Sequence, residues 1–195
     1  MDGDQIFVID DCESMRDHKD DVAMTARVIS YTVKVSDKNG MDLYFASDSC
    51  NPRNIQHITD IEHRITNMRI VTACCDMKKC LEDVVKEVKA QGMNPTTIYI
   101  FTDGVWDPDH DPEVDQVIYD AINHLIENGK KPQDLMFQFI QFGSDDEGYK
   151  RLKHLDDGCK MMVDDVEYDI VDTKNWQEHV PRIIIGSLDR HNDID

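Results

Sequence analysis

Two apolar runs, each cut off by acid, constrain this chain more than anything else in it. Phe7-Val8-Ile9 stops at Asp10-Asp11-Cys12-Glu13-Ser14-Met15, and Ile98-Tyr99-Ile100-Phe101 stops at Thr102-Asp103-Gly104. A continuous apolar run without polar alternation is the pattern of a strand covered on both faces, as in parallel sheets packed between helices. Side chains just beyond the carboxyl ends of such strands lie where open α/β sheets hold their ligands. Carboxylates and hydroxyls gathered there are the donors that hard cations take.

The remaining segments alternate to match. Asp17 to Val33 is expected to be helical, with Val22, Ala26, Ile29 and Val33 on one face, and a loop through Lys38-Asn39-Gly40 leads to a strand from Leu43 to Ala46. Asp48 to Arg53 is a turn-rich link, and Asn54 to Asn67 reads as a helix carrying Ile55, Ile58, Ile61 and Ile65. From Ala73 to Ala90 an apolar stripe of Cys74, Met77, Cys80, Leu81, Val84, Val85 and Val88 marks another helix, stopped by Gly92. After the Ile98 strand, Asp111-Pro112-Glu113 supplies the cap, proline and acid of a helix start. The buried face of that helix runs from Val114 to Leu125, and Gly129 ends it. Leu135 to Phe142 is a strand, Gly148 to Leu155 a short helix, Tyr168 to Val171 a short strand and Gln177 to Leu188 a last helix. This alternation predicts a doubly wound, mostly parallel, Rossmann-like α/β sheet with right-handed crossovers. A single domain over 1–195, with its core from about 5 to 188, accommodates all of it.

Charge narrows the partners. A net charge of −19 argues against nucleic acid, whose phosphates are bound by Lys and Arg. Acid is spread along the chain, as on a well-solvated surface. No apolar stretch reaches the length of a membrane span, and the N-terminus lacks a basic region followed by an apolar one. The expected location is therefore cytoplasmic, with no membrane partner, and the early start of the first strand reads as a domain boundary. The six cysteines, Cys12, Cys50, Cys74, Cys75, Cys80 and Cys159, include no C-x-x-C pair. Reduced thiols are the expectation.

The order and spacing of the motifs resemble the von Willebrand factor A (vWA) family. Asp10-x-Cys12-x-Ser14, a lone Thr72 and Thr102-Asp103-Gly104 are similar to the D-x-S-x-S, Thr and T-D-G segments of that family's metal-ion-dependent adhesion site. Between Gln5 and Leu188, Ile9-Asp10-Asp11-x-x-Ser14-Met15 and Phe101-Thr102-Asp103-Gly104-Val105-Trp106 look most like the vWA domains of fungal proteins. So do Phe139-Ile140-Gln141-Phe142-Gly143, Leu155-Asp156-Asp157-Gly158 and Asp169-Ile170-Val171-Asp172. The resemblance implies an Mg²⁺ or Mn²⁺ ion held by Asp10, position 12, Ser14, Thr72 and Asp103, the last through water. It also implies one coordination position left open for an acidic side chain of a protein partner. Residues two apart on an extended loop face the same way, so positions 10, 12 and 14 can share an ion. A divalent ion there would turn the repulsion between the site and a partner carboxylate into attraction.

This chain departs from the pattern at Cys12, where a serine hydroxyl belongs, and at Glu13, where glycine is usual. A thiol is a soft ligand and a poor one for magnesium. Three readings follow: weak Mg²⁺ on the remaining groups, a softer ion such as Mn²⁺ or Zn²⁺, or a site that no longer binds metal. Cys74 or Cys75 could approach Cys12, where a thiolate pair would suit zinc or a redox switch, although core packing is the simpler role. Glu13, Gly104, Trp106, Asp107 and Asp109 are expected around the opening as partner contacts, Trp106 either as a plug or as an exposed contact. Asp107-Pro108-Asp109-His110-Asp111 spaces its acids as an EF-hand does, but Pro112 and Ile118 stand where that loop needs glycine and glutamate.

Catalysis is not expected. Asp10-Asp11-Cys12 lacks the second aspartate of aspartyl phosphotransferases, and there is no phosphate-cradling glycine loop and no nucleophile with a recognisable base. The expected function is a non-enzymatic protein-binding module using a divalent cation. Its rival is a metal-free scaffold of the same fold that meets partners by other surfaces, with a metal-dependent hydrolase a distant third.

Overall fold

The apolar runs pair with one another. In the computed structural model, which describes residues 3–34, 40–106 and 113–178, β1 (Asp4–Ile9) lies parallel to β4 (Thr96–Thr102), with Ile6 opposite Ile98 and Ile9 opposite Phe101. Parallel β2 (Met41–Phe45) flanks β1 on its other side, and β3 (Arg53–Ile55) closes that edge in the antiparallel sense. Beyond β4 come β5 (Leu135–Gln141) and β8 (Val171–Asn175), both parallel. Among the described residues the main sheet thus has six strands in the order β3-β2-β1-β4-β5-β8. The doubly wound, mostly parallel architecture expected from the sequence is the one observed.

Two helical layers bury the sheet. α1 (Lys19–Val33) and α2 (Ile58–Thr66) cover one face, where Phe7 and Ile9 meet Val22, Ile29 and Ile61. α3 (Met77–Ala90), α4 (Val114–Glu127) and α5 (Asp146–Gly158) cover the other, where Val8 and Ile100 meet Leu81, Val84, Ile118 and Leu152. Successive residues of β1 therefore enter opposite cores, which is why no polar residue interrupts the run.

Several boundaries differ from the expectation, each for a local reason. Arg53 to Ile55 is a strand and not link and helix start, so α2 begins only at Ile58. The helix expected from Ala73 starts at Met77, because Asp76 caps it by accepting the Lys79 N–H at 2.9 Å. α5 begins two residues early, at Asp146, where Asp145 accepts the N–H groups of Glu147 and Gly148. The short strand expected at Tyr168 to Val171 straddles two elements. A polar hairpin of β6 (Lys160–Val163) and β7 (Val166–Asp169) precedes β8, turning at Asp164 and Asp165 with φ of 49° and 64°. Aspartate tolerates that left-handed region better than most side chains. The helix expected at Gln177 to Leu188 lies outside the described residues beyond Glu178, as do Lys38, Asn39, Asp111 and Pro112.

The topology positions the site. From β1 the chain crosses through α1 to β2 on one side, while β4 on the other side is reached through α3 on the opposite face. The crevice between diverging crossovers opens at the carboxyl ends of β1 and β4.

Candidate functional site

Asp10 leaves β1 with its backbone N–H still bonded to the Phe101 carbonyl at 3.0 Å, so its side chain is delivered beside the end of β4. Its carboxylate is fully buried. One oxygen accepts the Cys12 N–H at 3.2 Å and the other the Thr102 hydroxyl at 2.7 Å. That hydroxyl is a hub, since it also accepts the Gly104 N–H at 3.0 Å and the Trp106 indole N–H at 2.8 Å. Burial pushes the Asp10 carboxyl up to about 7, with the Thr102 bond opposing the rise and the nearby Asp103 charge adding to it.

Asp103 lies next to this group. It accepts the Val105 N–H at 2.9 Å and the Ser14 hydroxyl, yet its own burial still holds it above the ordinary carboxylate range. Two adjacent carboxyls raised by burial, Asp10 also by the charge of Asp103, are a place where a cation relieves an existing electrostatic cost. The structure thus brings Asp10, Cys12, Ser14 and Asp103 together. Ser14 stays exposed. Thr72 is exposed on the adjoining loop, which is drawn alongside by a β-bridge between Cys12 and Val71 and by the Val71 N–H donating to the Asp11 carbonyl at 2.9 Å. Oxygen donors of this set fit a hard divalent cation; position 12 does not.

Cys12 is joined to Cys75 by a disulfide, their Cα atoms 5.8 Å apart. The expectation of six reduced thiols is corrected at this pair, and Cys12 can ligate only after reduction. Asp10, Cys12 and Cys75 nonetheless form a cluster whose ligand atoms all lie within 4.8 Å of one another. Cys74, placed on the buried stripe by periodicity, is exposed because the helix starts after it.

Two residues of the expected contact rim, Trp106 and Gly104, are buried instead of exposed. Trp106 is 3% exposed: it is a plug, packed on Phe139 and bonded to Thr102, with the Arg151 guanidinium 5.5 Å from its ring. Gly104 is buried too. It adopts φ +79°, and a Cβ there would stand 2.7 Å from the Gly148 carbonyl oxygen. Gly148 in turn meets the Asp103 carbonyl, and Arg151 donates to the Gly104 carbonyl. Glu13 does face solvent, held as a bidentate pair with Arg16 at 2.7 and 2.6 Å. Asp107 and Asp109 lie outside the described residues.

Sequence reasoning missed Asp11, Gly148 and Arg151. Asp11 accepts both the N–H and the hydroxyl of Ser47, fastening the turn after β2 to the site. A second acid directly after Asp10 was its only signal. Beside it opens a cleft of about 640 Å³ whose lining includes Arg53, Arg64 and Arg69 as well as Asp11 and Asp48, with Arg53 3.8 Å from the Asp48 carboxylate.

Comparison with known proteins agrees with this architecture. No curated protein matches the chain. A crystal structure of manganese-loaded Plasmodium vivax TRAP protein shares the fold with a TM-score of 0.53 at 12% identity, over 95% of this chain and 74% of that one. The family model described as the vWA found in the TerF C terminus matches residues 4–179, and it names TerF, not the fungal proteins expected from the motifs. With nine-tenths of its length covered by that match, the chain belongs to the vWA-TerF-like family of von Willebrand factor A domains.

Proposed function

We propose that this domain is a non-enzymatic protein-binding module that takes a hard divalent cation, Mg²⁺ or Mn²⁺, at the notch between the ends of β1 and β4. The observation that carries the reading is the burial of Asp10 beside Asp103, two carboxyls to which no basic side chain is hydrogen-bonded among the described residues. Asp10, Ser14, Thr72 and Asp103 would hold the ion, and an acidic side chain of the partner would complete its coordination. The adjoining cleft supports an acidic partner, because Arg64 and Arg69 can attract one that the net charge of −19 would otherwise repel.

A second reading, a metal-free scaffold of the same fold, is favoured by one specific observation: both oxygens of Asp10 already accept hydrogen bonds, and Cys12 is spent in a disulfide. Titration calorimetry with Mg²⁺ and Mn²⁺ separates the two. Saturable binding that disappears in Asp103→Ala, with the circular dichroism unchanged, supports the cation site. Absence of binding in the parent protein rejects it in favour of the scaffold.

A further inference from the structure

We propose that Cys12 and Cys75 are a reversible dithiol pair which, when reduced, joins Asp10 in holding a thiophilic divalent cation of the zinc class, and which, when oxidised, closes that site. This goes beyond the hard-cation reading and does not depend on it, since the two donor sets share only Asp10.

Three observations carry it. First, the two sulfurs and an Asp10 oxygen converge within 4.8 Å from positions 63 residues apart in sequence, on side chains that are nearly or fully buried. A tetrahedral zinc needs its sulfurs about 2.3 Å away, hence roughly 3.8 Å from each other, so the two sulfurs, bonded in the oxidised pair, must part on reduction before they share an ion. Second, the frame that aligns the ligands does not rely on the sulfur–sulfur bond. The Cys12–Val71 bridge and the Val71 N–H bond to Asp11 hold the two loops together, the Cys12 N–H bond to Asp10 fixes the first loop, and Cys75 sits immediately before the capped start of α3. A Cα separation of 5.8 Å suits either a disulfide or a shared metal. Third, a candidate for the fourth position is at hand: an Asp11 oxygen stands 3.8 Å from the Cys75 sulfur. Two sulfurs with carboxylate oxygens select zinc-like ions over magnesium, the reverse of the preference of Ser14 and Asp103.

The oxidant is a low-molecular-weight disulfide of the oxidised-glutathione class. One cysteine thiolate attacks a sulfur of that molecule, breaking its S–S bond and releasing one thiolate. The second cysteine then attacks the mixed disulfide, forming the Cys12–Cys75 bond and releasing the other. Two electrons pass from the protein sulfurs to the external pair, and the two cysteine protons end on the released thiols. Bound metal leaves because its sulfur donors no longer carry charge.

Cobalt is the direct probe, because thiolate ligation gives it a charge-transfer band in the near ultraviolet. The reduced 195-residue chain should bind one equivalent of Co²⁺ with that band, and Zn²⁺ should displace it. The band should vanish in Cys12→Ser and in Cys75→Ser, and persist in Cys50→Ser and Cys74→Ser. Treatment with oxidised glutathione should abolish binding, while peptide mapping locates the Cys12–Cys75 bridge. Asp103→Ala should keep the cobalt band even where it loses Mg²⁺, which tells failure of this proposal from failure of the hard-cation site. A reduced, folded chain with no thiolate band, or a band unchanged in the Cys12→Ser, Cys75→Ser double variant, overturns the proposal. So does oxidation that leaves metal affinity intact.

Discussion

Removing one oxygen atom from the Thr102 side chain tests how the site is built. Thr102→Val keeps the shape of a fully buried residue and deletes the hydroxyl that binds Asp10, Gly104 and Trp106. Three buried polar groups then lose a partner, one of them a carboxylate. At about 1–3 kcal/mol for each orphaned group, and with the three sharing one relaxation, the expected loss is about 3–5 kcal/mol. For a chain of this size that lowers the melting temperature by roughly 10 °C. Urea unfolding at fixed pH gives the free energy, with an unchanged m-value as the check that only the folded state was altered.

The pH dependence sharpens this test. The folded Asp10 carboxyl is raised to about 7, so its contribution to stability is greatest at low pH and is lost as pH rises through that value. The Thr102 bond opposes the rise by favouring the charged form, so its removal should hurt more at about pH 8 than at about pH 5. A loss below about 1 kcal/mol, or one independent of pH, refutes the hub. Thr102→Ser, which keeps the hydroxyl, should recover most of the stability.

The remaining predictions concern neighbouring parts of the structure. Gly104→Ala and Gly148→Ala should each destabilise by more than about 2 kcal/mol, the first through its positive φ and both through backbone collisions; thermal melts within a degree of the parent would contradict the contact. Asp156 is raised to about 6, by burial first and by the Asp172 charge second. Its stabilising contribution is present in full below about pH 4 and lost as pH rises through about 6. Asp156→Asn should therefore stabilise the neutral-pH protein and flatten its stability profile across that window, as measured by denaturant titrations at several pH values. Cys12→Ser replaces a sulfur with an oxygen and frees the position from its bridge. Mg²⁺ should bind it more tightly than the parent in calorimetry, and equal affinity would mean that position 12 does not face the ion.

What could be read in the sequence was whatever leaves a local trace. The β1, β4 and β5 runs are buried on both faces, and α3 and α4 carry stripes at helical spacing, so composition alone marks them. β3 is three residues long, β6 and β7 are largely exposed, and β8 carries Asp172, Thr173 and Lys174. Edge elements such as these are fixed by pairing partners distant in sequence, so their own residues carry little signal. The same holds at the site. Acids at strand ends announced Asp10 and Asp103, whereas the Cys12–Cys75 bond depends on two loops meeting. The burial of Trp106 beneath Arg151 likewise needed α5 in place.

The contact between Gly104 and Gly148 has a mechanical meaning. Main chain there rests directly on main chain, with no side chain between to bend, swing or compress. A cushion of rotamers lets most helices slide by fractions of an ångström unnoticed; α5 has none at this point. Any sliding of that helix, from a ligand in the cleft lined by its Tyr149, Lys153 and Asp156 or from a binding event at its far end, must push on the Asp103 peptide. The acidic notch and the cleft beyond the ends of β5 and β8 are thereby geared together, tooth against tooth.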